Sequence, residues 1–156
     1  MAKSALTVNG RTYQWPHRPL VVVCVDGCEP DYITQAVQAG TAPWFKHVLK
    51  HGSSFTADPV ARSFTNPNHL SNVKAVPPSV HGICGNYFYD RDNDREVMMN
   101  DPALLRAGSV LSAFSRAGAK VAVVTAKDKL RTLLGHQLEG ICFSAEHADQ
   151  AHEKQN

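Results

Sequence analysis

The 156-residue sequence lacks any apolar run long enough to cross a membrane. Its opening, Met-Ala-Lys-Ser-Ala-Leu-Thr-Val-Asn-Gly, also lacks the apolar stretch of a signal peptide. A cytoplasmic protein is the expectation. An excess of one charge is missing too. Sixteen Lys and Arg against fourteen Asp and Glu leave +2, with no basic block, so no nucleic acid and no membrane surface is expected as a partner. Cys24, Cys28, Cys84 and Cys142 form neither a CxxC pair nor a zinc-finger spacing. Without a secretory signal they read as buried free thiols. Internal repeats and low-complexity linkers are absent. The eight histidines contain no HExxH motif, and His147 and His152, five apart, do not share a helix face.

What is present suits one domain with a proper core, since 43% of the residues are hydrophobic. The most informative stretch is Leu-Val-Val-Val-Cys-Val-Asp at residues 20–26, six apolar residues that end on a carboxylate. Flanked by Pro19 and Gly27, it predicts a strand buried on both faces. Ligands of open α/β sheets gather beyond the carboxyl ends of such strands. Asp26 would sit at that mouth, where a carboxylate needs compensation and a cation would supply it.

Other segments read from local signals. Residues 7–13 predict a hairpin about Asn9-Gly10. Helices are expected from near Pro30 to Gly40, from Pro43 to His51 with Gly52 as the stop, and from Pro67 to about Ala75. Residues 54–62 look extended. Leu104 to Ala117 has helical periodicity and closes on Gly118. Lys120–Thr125 and Ile141–Phe143 predict further buried strands, and Glu146–Asn156 begins like a helix. Asp90-Arg91-Asp92-Asn93-Asp94 imitates a calcium loop, but Arg95 stands where that loop needs glycine and Asp101 where it needs glutamate. A polar turn between Tyr87-Phe88-Tyr89 and Val97-Met98-Met99 is the better reading. Alternation of strand and helix predicts an α/β class with a mostly parallel sheet and flanking helices. Three buried strands make a narrow sheet, so residues 1–156 read as the first portion of a larger, truncated domain.

Three segments carry candidate chemistry. Thr65, before Asn66-Pro67, falls at the positive end of a helix, where an alkoxide would be stabilised. Thr65 or Asn66 could equally be a helix cap. In Val80-His81-Gly82-Ile83-Cys84-Gly85-Asn86, the Asn86 amide could donate to a phosphoryl oxygen, or the pair could simply form a turn. Lys127 and Lys129 follow a buried strand, where they suit an anionic ligand or a solvated helix start.

Taken together, Val-Asp26-Gly-Cys-Glu-Pro-Asp-Tyr, Phe-Thr65-Asn-Pro-Asn-His-Leu-Ser, His-Gly-Ile-Cys-Gly-Asn86 and Thr-Ala-Lys127-Asp-Lys129-Leu-Arg resemble the phosphonoacetate hydrolase family. That family lies in the alkaline phosphatase superfamily, near the nucleotide pyrophosphatase/phosphodiesterases. The resemblance covers about residues 7–150 and implies a partial alkaline-phosphatase-like sheet. It implies two zinc ions in the complete enzyme, with Asp26 a ligand and Thr65 the metal-activated nucleophile. Asn86 would hold a phosphoryl oxygen, and Lys127 and Lys129 the carboxylate of a small phosphonate. A homodimer of the complete enzyme is compatible with it. The family's other zinc ligands lie past residue 156, so this chain alone is expected to be inactive and loosely packed. A nucleotide phosphodiesterase and a non-catalytic truncated product are the competing expectations.

Overall fold

The computed structural model describes residues 4–61 and 63–150. The chain divides into two compact units, one of Met1–His17 with Pro59–Asn156 and one of Arg18–Asp58. In chain order, the larger unit begins with the hairpin of β1 (Leu6–Val8) and β2 (Arg11–Tyr13). Asn9 and Gly10 both take positive φ, 50° and 77°, as a tight two-residue turn demands. The predicted hairpin is present with Val8 opposite Arg11.

The smaller unit holds α1 (Pro30–Gln38) and α2 (Pro43–His51). Both begin on proline, whose fixed φ suits the first turn, and neither buries a residue. Their bounds fall where the sequence places them. The strand expected before them does not form. Residues 20–25 carry no strand, Val22 is 81% exposed, and no ladder partner exists among the described residues. Apolar composition makes a segment fit to be buried, but a central strand exists only when neighbours accept its backbone hydrogen bonds.

The remaining elements belong to the larger unit. Residues 54–59, in which the boundary at Asp58 and Pro59 falls, have no regular structure. They lead to α3 (Thr65–Lys74), which starts two residues before Pro67 and ends on Ala75 in the left-handed region. A short turn, α4 (Pro78–His81), is followed by the hairpin of β3 (Tyr87–Asp90) and β4 (Arg95–Met98). The calcium-like residues are its polar loop, as expected. A 3₁₀ turn at Pro102–Leu104 interrupts the long helix predicted over 104–117, and α5 covers only Val110–Arg116. Ser109 sets that start by accepting the Ser112 N–H, a cap that outweighs upstream apolar periodicity.

β5 (Ala122–Thr125), α6 (Asp128–Leu134) and β6 (Ile141–Ser144) form a compact strand–helix–strand crossover with the strands parallel. This pair is the parallel part of an α/β arrangement whose other two ladders are antiparallel hairpins. The strands are covered on one face rather than two: Val123 and Thr125 are buried while Val124 is 64% exposed. A 3₁₀ stretch, Ala145–Gln150, follows, and the rest of the predicted C-terminal helix, including His152, lies outside the described residues. Leu70, Ile83, Met99, Val123, Leu130, Leu133, Leu134 and Cys142 make the core. The reading of four buried thiols fails for three of them: Cys24, Cys28 and Cys84 are exposed, and only Cys142 is buried, all four being free. Among the described residues no helix is long and apolar enough to cross a membrane.

Candidate functional site

Four of the five candidate residues belong to the larger unit, and Asp26 to the smaller. Asp26 is exposed in a turn closed by the Cys28 N–H on the Val25 carbonyl, with Gly27 at φ 74°. Of the expectation for Asp26, the burial at a strand mouth is what differs: the residue is exposed.

Thr65 is half-buried in the first turn of α3. Phe64 is the residue preceding the helix and offers no side-chain cap, so neither Thr65 nor Asn66 fills that role. Its carbonyl instead accepts from the Asn68 amide at 2.9 Å, while Asn68 Oδ1 accepts from Val60 N at 3.1 Å. Asn68 thus ties the incoming chain to the helix start. His69 Nδ1 donates to the Thr65 carbonyl at 2.9 Å.

Asn66, fully buried, links this helix start to the second candidate segment. Its Nδ2 donates to Asn100 Oδ1 at 3.1 Å and to the Met99 carbonyl at 3.5 Å. The Met99 N–H in turn donates to the Asn86 carbonyl at 2.8 Å. Met99 therefore bridges the first turn of α3 and the Gly85-Asn86 turn. The side-chain oxygens of both Asn66 and Asn86 are buried without a partner among the described residues. An amide oxygen left without a hydrogen bond costs roughly 1–3 kcal/mol, so each could accept a donor that the described residues do not supply. Sequence reasoning missed Asn66 except as a cap, because its partner Met99 lies 33 positions away.

The lysine segment stands at the carboxyl ends of β5 and β6. Lys127 is exposed and immediately precedes α6, Lys129 is half-buried in its first turn, and neither ammonium has a partner among the described residues. The backbone between them is braced on both sides. Thr125 Oγ1 donates to the Lys127 carbonyl at 2.9 Å, and the Asp128 N–H donates to Glu146 Oε2 at 2.6 Å. The Asp128 carboxylate accepts from Arg131 Nε at 2.6 Å and from Ser144 Oγ at 3.1 Å. The Arg131 hydrogen bonds hold its carboxyl below the usual carboxylate range, with Ser144 adding to the effect. Asp128 is thereby engaged by its own helix and by β6, and it pairs with neither lysine.

Beneath these segments, His81 is fully buried. The Ile83 N–H donates to its Nδ1 at 3.2 Å, which fixes the proton on Nε2, 3.0 Å from Ser71 Oγ. Burial, reinforced by the nearby Lys74 ammonium, pushes its pKa below the ordinary 6.5. The unfolded chain therefore binds the extra proton first as pH falls below that value. Stability is full above it and declines as pH drops toward the folded value. Thermal unfolding followed from about pH 7.5 to about pH 5 should show a falling midpoint, and His81→Gln should flatten that slope. An identical slope in the variant would remove His81 as its source.

No group of three or more His, Cys, Asp or Glu side chains converges on a metal position among the described residues. His47 and His51, one turn apart on α2, stack with ring centroids 4.3 Å apart and are a pair with no third ligand. Zinc takes about four ligands. The described residues by themselves do not make a zinc centre.

A family model described as type I phosphodiesterase / nucleotide pyrophosphatase matches residues 20–132. Two crystal structures of a phosphonoacetate hydrolase from Sinorhizobium meliloti 1021 are similar to the chain at 52% identity over 96% of its length. One contains phosphonoacetate and superposes with a TM-score of 0.92; the other contains phosphonoformate and gives 0.91. The chain spans 38% of the length of those solved chains. At this similarity the alkaline-phosphatase-like α/β fold expected from the motifs is the fold of the chain.

Proposed function

Since the chain belongs to the type I phosphodiesterase / nucleotide pyrophosphatase family, we propose that it supplies the nucleophile and the carboxylate-binding lysines of a phosphonoacetate hydrolase. The observation that carries this reading is the pair of ammoniums, Lys127 and Lys129, without a partner among the described residues, at the carboxyl ends of two parallel strands. A phosphodiester has no carboxylate for them to meet, whereas phosphonoacetate has one next to the bond that breaks.

In the proposed reaction the Thr65 hydroxyl oxygen forms a bond to phosphorus and loses its proton. The carbon–phosphorus bond breaks, and its electron pair passes to the methylene carbon and on into the carboxylate. Protonation of that carbon gives acetate. Water then cleaves the threonine ester, releasing phosphate and restoring the hydroxyl. Lysines beside the carboxylate stabilise charge that grows only as the bond breaks, which lowers the barrier rather than merely tightening binding. The Asn86 amide would orient a phosphoryl oxygen. Zinc belongs to the proposal as the ion expected to acidify the Thr65 hydroxyl, with Asp26 and Thr65 as this chain's donors. Two donors do not fit a zinc ion, and no step above runs through one.

The exposed aromatics Tyr87, Phe88 and Tyr89, directly after Asn86, favour a second reading, since they could stack on a nucleotide base. A chimera decides between the two: residues 1–156 replace the matching segment of the Sinorhizobium meliloti enzyme. Equimolar acetate and phosphate from phosphonoacetate is the expected result. Cleavage of a nucleotide diester with phosphonoacetate left intact would overturn it.

A further inference from the structure

We propose that a polar cavity between the C-terminal end of α3 and the 105–109 loop binds a small oxyanion of the phosphate or sulfate class. The cavity measures about 220 Å³, far above the roughly 10–15 Å³ one water requires. Lys74, Arg106 and His136 line it together with Ser109, Ser112 and Gln137, and no carboxylate is among its walls in the described residues. It is separate from the Thr65, Asn86 and lysine-pair segments, and the inference does not rest on the proposed hydrolysis.

Lys74 is the centre of the argument. Only 2% of it is exposed, and it forms no ion pair among the described residues. Its Nζ donates to the Ala107 carbonyl at 2.6 Å, which leaves further N–H donors of a three-donor ammonium unspent. Burial sets Lys74 apart from Lys127 and Lys129, which also lack an ion pair among the described residues but are exposed or half-buried. A buried ammonium with one carbonyl and no anion either gives up its proton or takes a counter-ion from solvent. Burial does push the Lys74 pKa down, and the adjoining cavity provides the alternative. An anion there would face Lys74 at the wall, with the exposed Arg106 at the rim and His136 beside it.

The wall is a built one. Asn9 Nδ2 donates both to the Lys74 carbonyl at 2.8 Å and to the Gly108 carbonyl at 2.9 Å, tying the helix end to the loop. The Arg106 N–H donates to the His81 carbonyl at 3.1 Å. A Cβ on Gly82 would come within 2.4 Å of the Leu104 carbonyl oxygen, so the loop sits against backbone that only glycine allows. Ser109 Oγ donates to Ser112 Oγ and Ser112 Oγ to the Ser109 carbonyl, so these hydroxyls are engaged with each other while the cations provide the attraction. Polar walls and three cationic or titratable groups suit a compact, hydrated anion better than an apolar ligand.

Inorganic phosphate, titrated calorimetrically into the 156-residue chain, is the test, with sulfate and acetate as parallel arms. A Lys127→Met/Lys129→Met background silences the other cationic site. Phosphate should still bind in that background, with sulfate competing and acetate far weaker. Arg106→Gln, at an exposed position, should weaken binding about tenfold, the effect of one charge-assisted contact. Lys74→Met should abolish it with the circular dichroism unchanged; where that variant misfolds, Arg106→Gln and His136→Gln decide alone. Absence of phosphate binding to the chain would overturn the proposal. So would affinity that disappears in the Lys127/Lys129 background yet ignores Arg106→Gln and His136→Gln. Acetate binding as tightly as phosphate would overturn the assigned class.

Discussion

Thr65→Ala is expected to abolish phosphonoacetate hydrolysis in the chimera, while Thr65→Ser keeps part of it and Thr65→Val none. The three substitutions separate chemistry from shape. Valine preserves the branched outline of threonine and removes the oxygen; serine preserves the oxygen and removes the methyl. If the hydroxyl attacks phosphorus, activity follows the oxygen. If Thr65 matters only for the first turn of α3, alanine should keep activity at least as well as serine, since neither is a poorer helix former than threonine. The structure sharpens this contrast, because the residue before the helix is Phe64, and Thr65 is already inside it. A capping residue would lose about 1 kcal/mol of stability on truncation and leave the rate untouched. Thr65→Ala retaining activity within about tenfold, a barrier change of ~1.4 kcal/mol, would remove it as the nucleophile. Acid-quenched protein offers a second readout: a threonine phosphoester should be recoverable from the parent chimera and absent from Thr65→Val.

The elements legible in the sequence were those specified within a few residues. Asn9-Gly10 dictates a hairpin by its tolerance of positive φ, and Pro30, Pro43 and Gly52 mark helix ends through their own backbone chemistry. The polar loop of β3 and β4 belongs to the same class. Where the decision lies with distant partners, local reading goes astray. Leu20–Val25 has the composition of a central strand but no ladder among the described residues, so it is exposed and unpaired. The predicted helix over 104–117 fails for a different reason. Ser109 caps α5, and the loop before it is held by Asn9 and by the His81 carbonyl, contacts invisible to periodicity.

The candidate site shows the same division. Thr65, Asn86, Lys127 and Lys129 could be picked out by residue type and placement beside turns and strand ends. Their supporting contacts could not. Asn66 reaches Asn100 across 34 positions, and Asp128 reaches Ser144 across 16. Buried Lys74 and His81 look like ordinary surface residues in the sequence, since nothing local says that Lys74 will meet the 105–109 loop or that His81 will meet Ser71 of α3. A single charged residue carries no periodic signal of burial, and only the packed structure reveals it.

Lys127→Met and Lys129→Met are expected to cut phosphonoacetate hydrolysis far more than cleavage of an activated aryl phosphate ester. Methionine keeps most of the apolar stem of lysine, so packing changes little while the charge is lost. Each charge-assisted bond to the substrate carboxylate is worth about 1.5–3 kcal/mol, and a bond that strengthens as the acetate dianion develops contributes at the upper end. That corresponds to a loss of roughly ten- to more than a hundredfold per lysine on phosphonoacetate. The aryl ester has no carboxylate and places its departing charge on a phenolate that needs no cation beside it, so its rate should stay within a few-fold of the parent. The surroundings favour a clean result. Lys127 is exposed and Lys129 half-buried, neither holds another side chain among the described residues, and the loop is fixed by Thr125, Glu146 and Asp128 instead. Steady-state constants for both substrates, measured on each chimera, check the expectation. Equal losses on the two would assign the lysines to the phosphoryl group or to the loop itself. An intact rate on both would leave the paired ammoniums as solvated surface, and with them would fall the observation on which the choice of phosphonoacetate rests.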